Sequence, residues 1–136
     1  MDESYALLPT PPGVEDYCRL RVAAGLSPKT VEAARVGLAA TYFGVSVVQR
    51  GALVGMGRIV GDGGCFLQLV DIAVLPEHQG KGIGKRIVGE LVEHLRRHAP
   101  PSVYVTLFAD GPAQHLYAQF GFRPSAPASV GMYLRL

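Results

Sequence analysis

The chain of 136 residues has no tryptophan, only two cysteines and few charges. Asp, Glu, Lys and Arg make up 18% of it, against about a quarter in an average domain. Each shortage excludes something. Cys18 and Cys65 lie far apart and form no CxxC pair, which rules out a metal site of cysteine type and argues against a disulfide framework. Both read as small apolar fillers, and no motif marks either as a reactive thiol. The formal net charge is only +2, too small for a protein built to coat nucleic acid. The opening stretch MDESYALLPT is acidic and holds no long apolar run. Neither a signal peptide nor a membrane span is expected, and the cytoplasm is the default location.

What is present suits one domain over residues 1–136. Apolar residues are 49% of the chain, enough for a continuous core. There is no internal repeat and no low-complexity linker. Tyr5–Leu8 reads as a short strand before the turn-rich Pro9-Thr10-Pro11-Pro12-Gly13. A helix follows over Val14–Ala24, stopped by Gly25, and a second starts from the Ser27-Pro28 cap and runs to about Ala40. The period then changes. Phe43–Gln49 and Ala52–Val60 read as a hairpin around Arg50-Gly51, with Gly55 and Gly57 marking weakness or a bulge. Cys65–Leu75 is apolar on both faces and reads as a central strand covered on both sides. Lys81–His98 carries one apolar stripe at a period near 3.6 and ends at Pro100-Pro101. Ser102–Phe108 reads as a strand, Ala113–Phe120 as a short helix closed by Gly121, and Val130–Leu136 as a last strand. The expected fold is mixed α/β, with a mostly antiparallel sheet flanked by helices.

The segment PEHQGKGIGKR, Pro76–Arg86, lies between the buried strand and the long helix. The first N–H groups of a helix have no partners within it, and the helix dipole adds positive potential there. Gly80, Gly82 and Gly84 let an anion approach the backbone, and Lys81, Lys85 and Arg86 reinforce the sign. A pyrophosphate fits this description. Two well-known pyrophosphate motifs do not. A P-loop needs glycine where Gln79 stands and Ser or Thr where Arg86 stands. The dinucleotide fingerprint G-x-G-x-x-G finds Lys85 or Ile87 in place of its third glycine. A glycine-rich turn can also serve close packing alone.

The spacing Gln79-x-x-Gly82-x-Gly84 resembles the acyl-CoA signature [RQ]-x-x-G-x-[GA] of the GCN5-related N-acetyltransferases. VDIAVLPEH, Val70–His78, looks like that family's central strand and its exit, and LYAQFGF, Leu116–Phe122, like its tyrosine-bearing helix and the turn after it. The resemblance spans about Leu67 to Pro124 and implies an acetyltransferase that uses acetyl-CoA and an amine acceptor in one ternary complex. It implies cofactor contacts from Gln79, Gly80, Lys81, Gly82, Ile83, Gly84 and Lys85, and from the backbone of Ile72, Ala73 and Val74. An N–H near Ala73 or Val74 would face the thioester oxygen. Tyr117 matches the tyrosine that many members use to protonate the departing sulfur, with packing of its ring on the cofactor and the helix as the competing role. Asp110 stands where many relatives have asparagine at the pantetheine arm, and an ionised aspartate accepts a hydrogen bond but donates none.

The base is less defined. Gln68 stands where some relatives carry glutamate. Asp71 is the candidate base among the carboxylates, with a structural hydrogen bond as the competing role. Strand alternation places it on the face opposite Gln68. His78 at the mouth of the glycine segment and His115 two residues before Tyr117 are the histidine candidates, each with an ordinary surface or packing role as the competing reading, and a water chain ending at backbone carbonyls would need neither. On the acceptor side, Tyr17, Arg21, Arg35, Tyr42, Phe43 and Tyr133 are the distinctive residues, and Glu15, Asp16 and Glu32 are too few to indicate a polyamine. The resemblance implies neither a nucleic-acid nor a membrane partner, and it allows a homodimer. The alternative is a CoA-binding sensor or partner module without catalysis, kept open by Gln68 and Asp110.

Overall fold

Arg50 and Gly51 both hold positive φ, 51° and 78°, the backbone that closes a two-residue hairpin with the right twist. That turn joins β2 (Phe43–Gln49) to β3 (Ala52–Gly61). The computed structural model describes residues 1–136 and builds a five-stranded sheet on this hairpin, in the order β1-β2-β3-β4-β5. The outer strands are β1 (Tyr5–Leu8) and β5 (Tyr104–Thr106), and β4 is Phe66–Val74. The first four are antiparallel, and β5 runs parallel to β4. β3 is therefore the middle strand, and β4 lies next to an edge.

Helices cover both faces. α3 (Ile83–His98) lays Ile83, Ile87, Leu91 and Leu95 on a cluster with Val45, Val47, Ile59 and Leu69. Gly57 permits this closeness, since a Cβ there would stand 2.6 Å from Ile87 Cγ2. The glycines of β3 are thus explained by the approach of a helix. On the other face, α1 (Val14–Ala23) and α2 (Val31–Ala39) bury Tyr17, Leu20 and Ala34 against Leu53, Met56 and Ala73. α4 (Ala113–Ala118) packs Tyr117 on Val88 and Val92 of α3. The mixed, mostly antiparallel sheet between helices is the expected architecture. No helix is long and apolar enough to cross a membrane.

Several boundaries differ from the sequence expectation, each for a local reason. α2 is capped by Thr30, whose Oγ1 accepts from Ala33 N–H at 3.1 Å, while Ser27 is taken by Arg21. α3 begins at Ile83, because Gly82 at φ 81° is its cap. β5 keeps three residues, because β4 pairs with it only that far. Residues 130–136 form no strand, since no neighbouring strand supplies hydrogen bonds to them.

Candidate active site

β4 pairs with β5 only from Phe66 to Gln68, opposite Tyr104 to Thr106. Beyond that point the strands part, and a cleft of about 710 Å3 opens between β4 and the segment leading into α4. A bulge in β4 accompanies the split. Arg58 opposes Val70 and Met56 opposes Ala73, so Asp71 and Ile72 together face Gly57. Asp71 holds φ 60°, a left-handed conformation that costs a non-glycine residue about 1–2 kcal/mol.

The bulge also overturns one expectation. Strict alternation would put Asp71 opposite Gln68, but the extra residue turns its side chain toward α1, the face that Val70 and Arg58 share. There its carboxylate is clamped. Arg58 Nε donates to Oδ2 at 2.8 Å, Tyr17 O–H donates to Oδ2 at 2.9 Å, and Arg21 Nη1 donates to Oδ1. Arg58 is held in turn by Gly37 O and Thr41 Oγ1, and Arg21 by Ser27. The three charged side chains are only 5–9% exposed. The Tyr17 hydroxyl is pushed up from its ordinary range, first by burial and then by the charge and hydrogen bond of Asp71. Both oxygens of Asp71 are engaged by cations or a phenol, so this carboxylate has the surroundings of an anchor for the bulge and not those of a base that must collect a proton.

Beyond the bulge the backbone faces the cleft. Leu75 N–H turns back to Val54 O of β3 at 2.9 Å. One residue earlier, alternation directs the N–H and C=O of Val74 to the opposite side. Gln79 Nε2 meets that carbonyl at 3.1 Å, so Gln79 braces the strand exit. The Val74 N–H is left as the donor on the cleft side. Ala73 instead buries its side chain against the α1 face.

The glycine segment follows. Gly80 and Gly82 both hold positive φ, 77° and 81°, and no side chain caps α3. The N–H groups of Ile83, Gly84 and Lys85 open the helix without intrahelical partners. The first turn holds no acidic residue, and Lys81, Lys85 and Arg86 are exposed around it. The side chain of Ile83 is in the core, so only its amide can serve a ligand. These groups fit a diphosphate. Substitutions at the two glycines should separate their roles. Gly82→Ala is expected to destabilise the fold by about 1–2 kcal/mol and to weaken coenzyme A binding at least tenfold in calorimetry. Gly84→Ala places its Cβ 3.8 Å from Leu116 Cδ2, an ordinary contact, and should keep or raise the melting temperature, because alanine suits a helix better by about 1 kcal/mol.

Across the cleft, Tyr117 is buried but its hydroxyl bonds to no group of the chain. Burial pushes this phenol above its ordinary range, and the carboxylate of Asp110 adds to the effect. Asp71, Ile72, Ala73, Val74, Gln79, Gly80, Gly84, Asp110 and Tyr117 all border the cleft. Lys81, Gly82 and Lys85 do not line it and are exposed on the turn and the first helical residues. His78 is tied by Nδ1 to Tyr5 O–H at 2.7 Å, and His115 is exposed on α4. Of the acceptor-side residues singled out from the sequence, Arg21 borders the cleft. Phe43 instead stacks on His94 at 3.8 Å between ring centroids, with Tyr42 edge-on to the same ring. Arg35 is exposed, and Tyr133 lies on the exposed C-terminal segment. Sequence reasoning missed Arg58. Its signal was an arginine alone in the valine- and glycine-rich stretch GMGRIVG, a pattern that asks for a buried partner.

The split end of β4, the glycine turn with its uncapped helix and the Tyr117 phenol border one cleft. Comparison with known proteins agrees. The family model "Acetyltransferase (GNAT) domain" matches residues 40–124, and the chain belongs to this acetyltransferase family. It is 33% identical over 85 residues to "GCN5-related N-acetyltransferase 2, chloroplastic" of Arabidopsis thaliana, covering 62% of this chain and 32% of that protein. It is 29% identical over 93 residues to "Uncharacterized N-acetyltransferase ycf52" of Pyropia yezoensis, covering 65% and 52%. The chain thus spans from a third to about half the length of these two relatives. Among solved structures, a probable acetyltransferase from meticillin-resistant Staphylococcus aureus superposes with a TM-score of 0.91 at 45% identity, covering 97% of this chain and 99% of that one.

Proposed function

We propose that the chain is an N-acetyltransferase that moves the acetyl group of acetyl-CoA to a primary amine of a small molecule, a protein lysine or an N-terminus. The observation that carries this reading is the placement of the glycine turn, Gln79–Gly84, directly after the unpaired end of β4. A diphosphate on the amides of α3 would bring the pantetheine arm along Ile72–Val74 and the thioester toward Tyr117. Acetyl-CoA supplies the acyl carbon and a thiolate leaving group. The chain's own residues then do three things. The Val74 N–H would donate to the carbonyl oxygen as charge builds on it. Tyr117 O–H gives its proton to the sulfur as the C–S bond breaks and the C–N bond forms. Asp71, through its clamp, holds the bulge that aims Val74. The amine's proton leaves by water or backbone carbonyls, because Asp71 is fully engaged, Gln68 cannot accept a proton at neutral pH and His78 is bound to Tyr5. Asp110, on the border of the same cleft, would accept a hydrogen bond from the pantetheine arm.

The test is thiol release from acetyl-CoA across a panel of primary amines, run beside thermal melting. Acetyl-CoA at 100 times its Kd should stabilise the protein by about 2.7 kcal/mol, and at least one amine should release thiol. A thermal shift without release from any amine would indicate a CoA-binding sensor. No shift with acetyl-CoA or coenzyme A would remove both readings.

A further inference from the structure

We infer that Tyr5 and His78 are a positioning pair for the glycine turn, through which β1 sets the affinity for coenzyme A without reaching the reacting atoms. This rests on the proposed use of the turn to hold a diphosphate. The turn has few bonds of its own. None of the six backbone N–H groups from Gly80 to Lys85 donates to a group of the chain. Glycine at 80, 82 and 84 widens the conformations open to such a segment. Its geometry is therefore set from the flank, where two consecutive side chains hold it. Gln79 Nε2 donates to Val74 O of β4 at 3.1 Å. His78 Nδ1 meets the Tyr5 hydroxyl of β1 at 2.7 Å, across 73 positions of sequence.

β1 has four residues, and only Tyr5 is buried, at 6% exposure. Its ring joins the core cluster that holds Val45, Val47 and Ile83. Phenylalanine would fill that space as well, so packing accounts for the ring but not for the hydroxyl. A buried hydroxyl needs a partner, and His78 supplies it. The two rings also meet edge-on, with 5.6 Å between centroids. A hydrogen bond and an edge contact together fix the half-exposed imidazole in one place.

His78 ends the short 3-10 helix Pro76–His78. His78 N–H reaches Leu75 O at 2.9 Å and Gln79 N–H reaches Pro76 O at 3.2 Å, and the free amides begin at the next residue. The tie to β1 thus acts on the last bonded residues before the turn. Releasing it lets the turn spread over more conformations. A diphosphate can use only a fraction of them, and the apparent affinity falls by that fraction. The thioester end of the cleft keeps its own supports in Gln79 and the Asp71 clamp. The loss is therefore one of binding, with KM raised and kcat kept.

Calorimetry with coenzyme A, run beside thiol release and thermal melting, tests this on Tyr5→Phe, His78→Leu and His78→Asn. Tyr5→Phe keeps the ring and loses the hydroxyl. His78→Leu removes the imidazole, and His78→Asn puts an amide group where Nδ1 stood. The first two should raise the Kd of coenzyme A and the KM of acetyl-CoA about tenfold, with kcat held within about twofold. His78→Asn should bring both constants back near those of the unmodified protein. With S-acetylpantetheine, which lacks the diphosphate, all three variants should match the unmodified protein. An unchanged Kd in Tyr5→Phe and His78→Leu would overturn the inference, and a lowered melting temperature beside it would mark the tie as structural only. An equal loss with S-acetylpantetheine, no recovery in His78→Asn, or a fall in kcat with KM held would overturn it too. If the unmodified protein binds no coenzyme A, the proposed function falls with it. If it binds and the variants bind equally well, this inference falls alone. Should Tyr5→Phe fail to fold, the two variants at half-exposed His78 decide.

Discussion

Asp71→Ala is expected to destabilise the fold by about 3–5 kcal/mol, the usual effect of removing one partner from a buried ion pair. Arg21 and Arg58 would be left facing each other without a counter-charge, in a site where their side chains are 9% and 8% exposed. For a domain of this size that loss lowers the melting temperature by roughly 10–20 °C. Asp71→Asn should cost less, since asparagine keeps an acceptor and tolerates positive φ. The same pair of variants separates the two roles considered for this residue. If Asp71 anchors the bulge, Asp71→Asn lowers activity while the pH–rate profile keeps its shape. If Asp71 were the base, the acidic limb of that profile would vanish, and the anchoring role would be insufficient.

Tyr117→Phe is expected to lower kcat more than tenfold, about 1.4 kcal/mol or more of transition-state stabilisation, with coenzyme A affinity unchanged in calorimetry. The ring and its packing on Val88 and Val92 stay, and only the hydroxyl goes. The direction of the pKa shift supports the role. Burial, and then the charge of Asp110, raise the phenol above its ordinary value. The neutral, donating form is therefore the one present through the whole neutral range, and it is lost only when the pH climbs past that raised value. The Tyr117 contribution to kcat should accordingly show no acidic limb and should decline only in strong alkali. Asp110→Asn removes the second cause and should bring that decline to lower pH. An unchanged kcat in Tyr117→Phe would take the tyrosine out of the chemistry.

Much of this was legible in the sequence, for reasons of local physics. The hairpin at Arg50-Gly51 needed positive φ, and the stripe from Ile83 to Leu95 had one helical period. The glycines of the 80–84 turn announced close approach to the backbone, and the tyrosine helix carried its own motif. What escaped depended on residues distant in the chain. Gly57 is small because Ile87 of α3 comes within 2.6 Å of where its Cβ would be. Alternation misplaced Asp71, because a bulge opposite Gly57 shifts the count by one. The use of that residue followed from Arg58, thirteen positions away, and from Arg21, fifty away.

The sequence by itself determined the succession of strands and helices as far as α4 and the glycine turn at the head of α3, since these rest on backbone preferences and on neighbours three or four residues apart. Tertiary structure alone decided whether each group was free to act. Asp71 lost its lone pairs to three donors, the Val74 amide faced the cleft because β5 parts from β4, and residues 130–136 kept a strand's pattern with no strand beside them. A pattern states what a segment can bury or bond. Whether it does so depends on what the folded chain brings within reach.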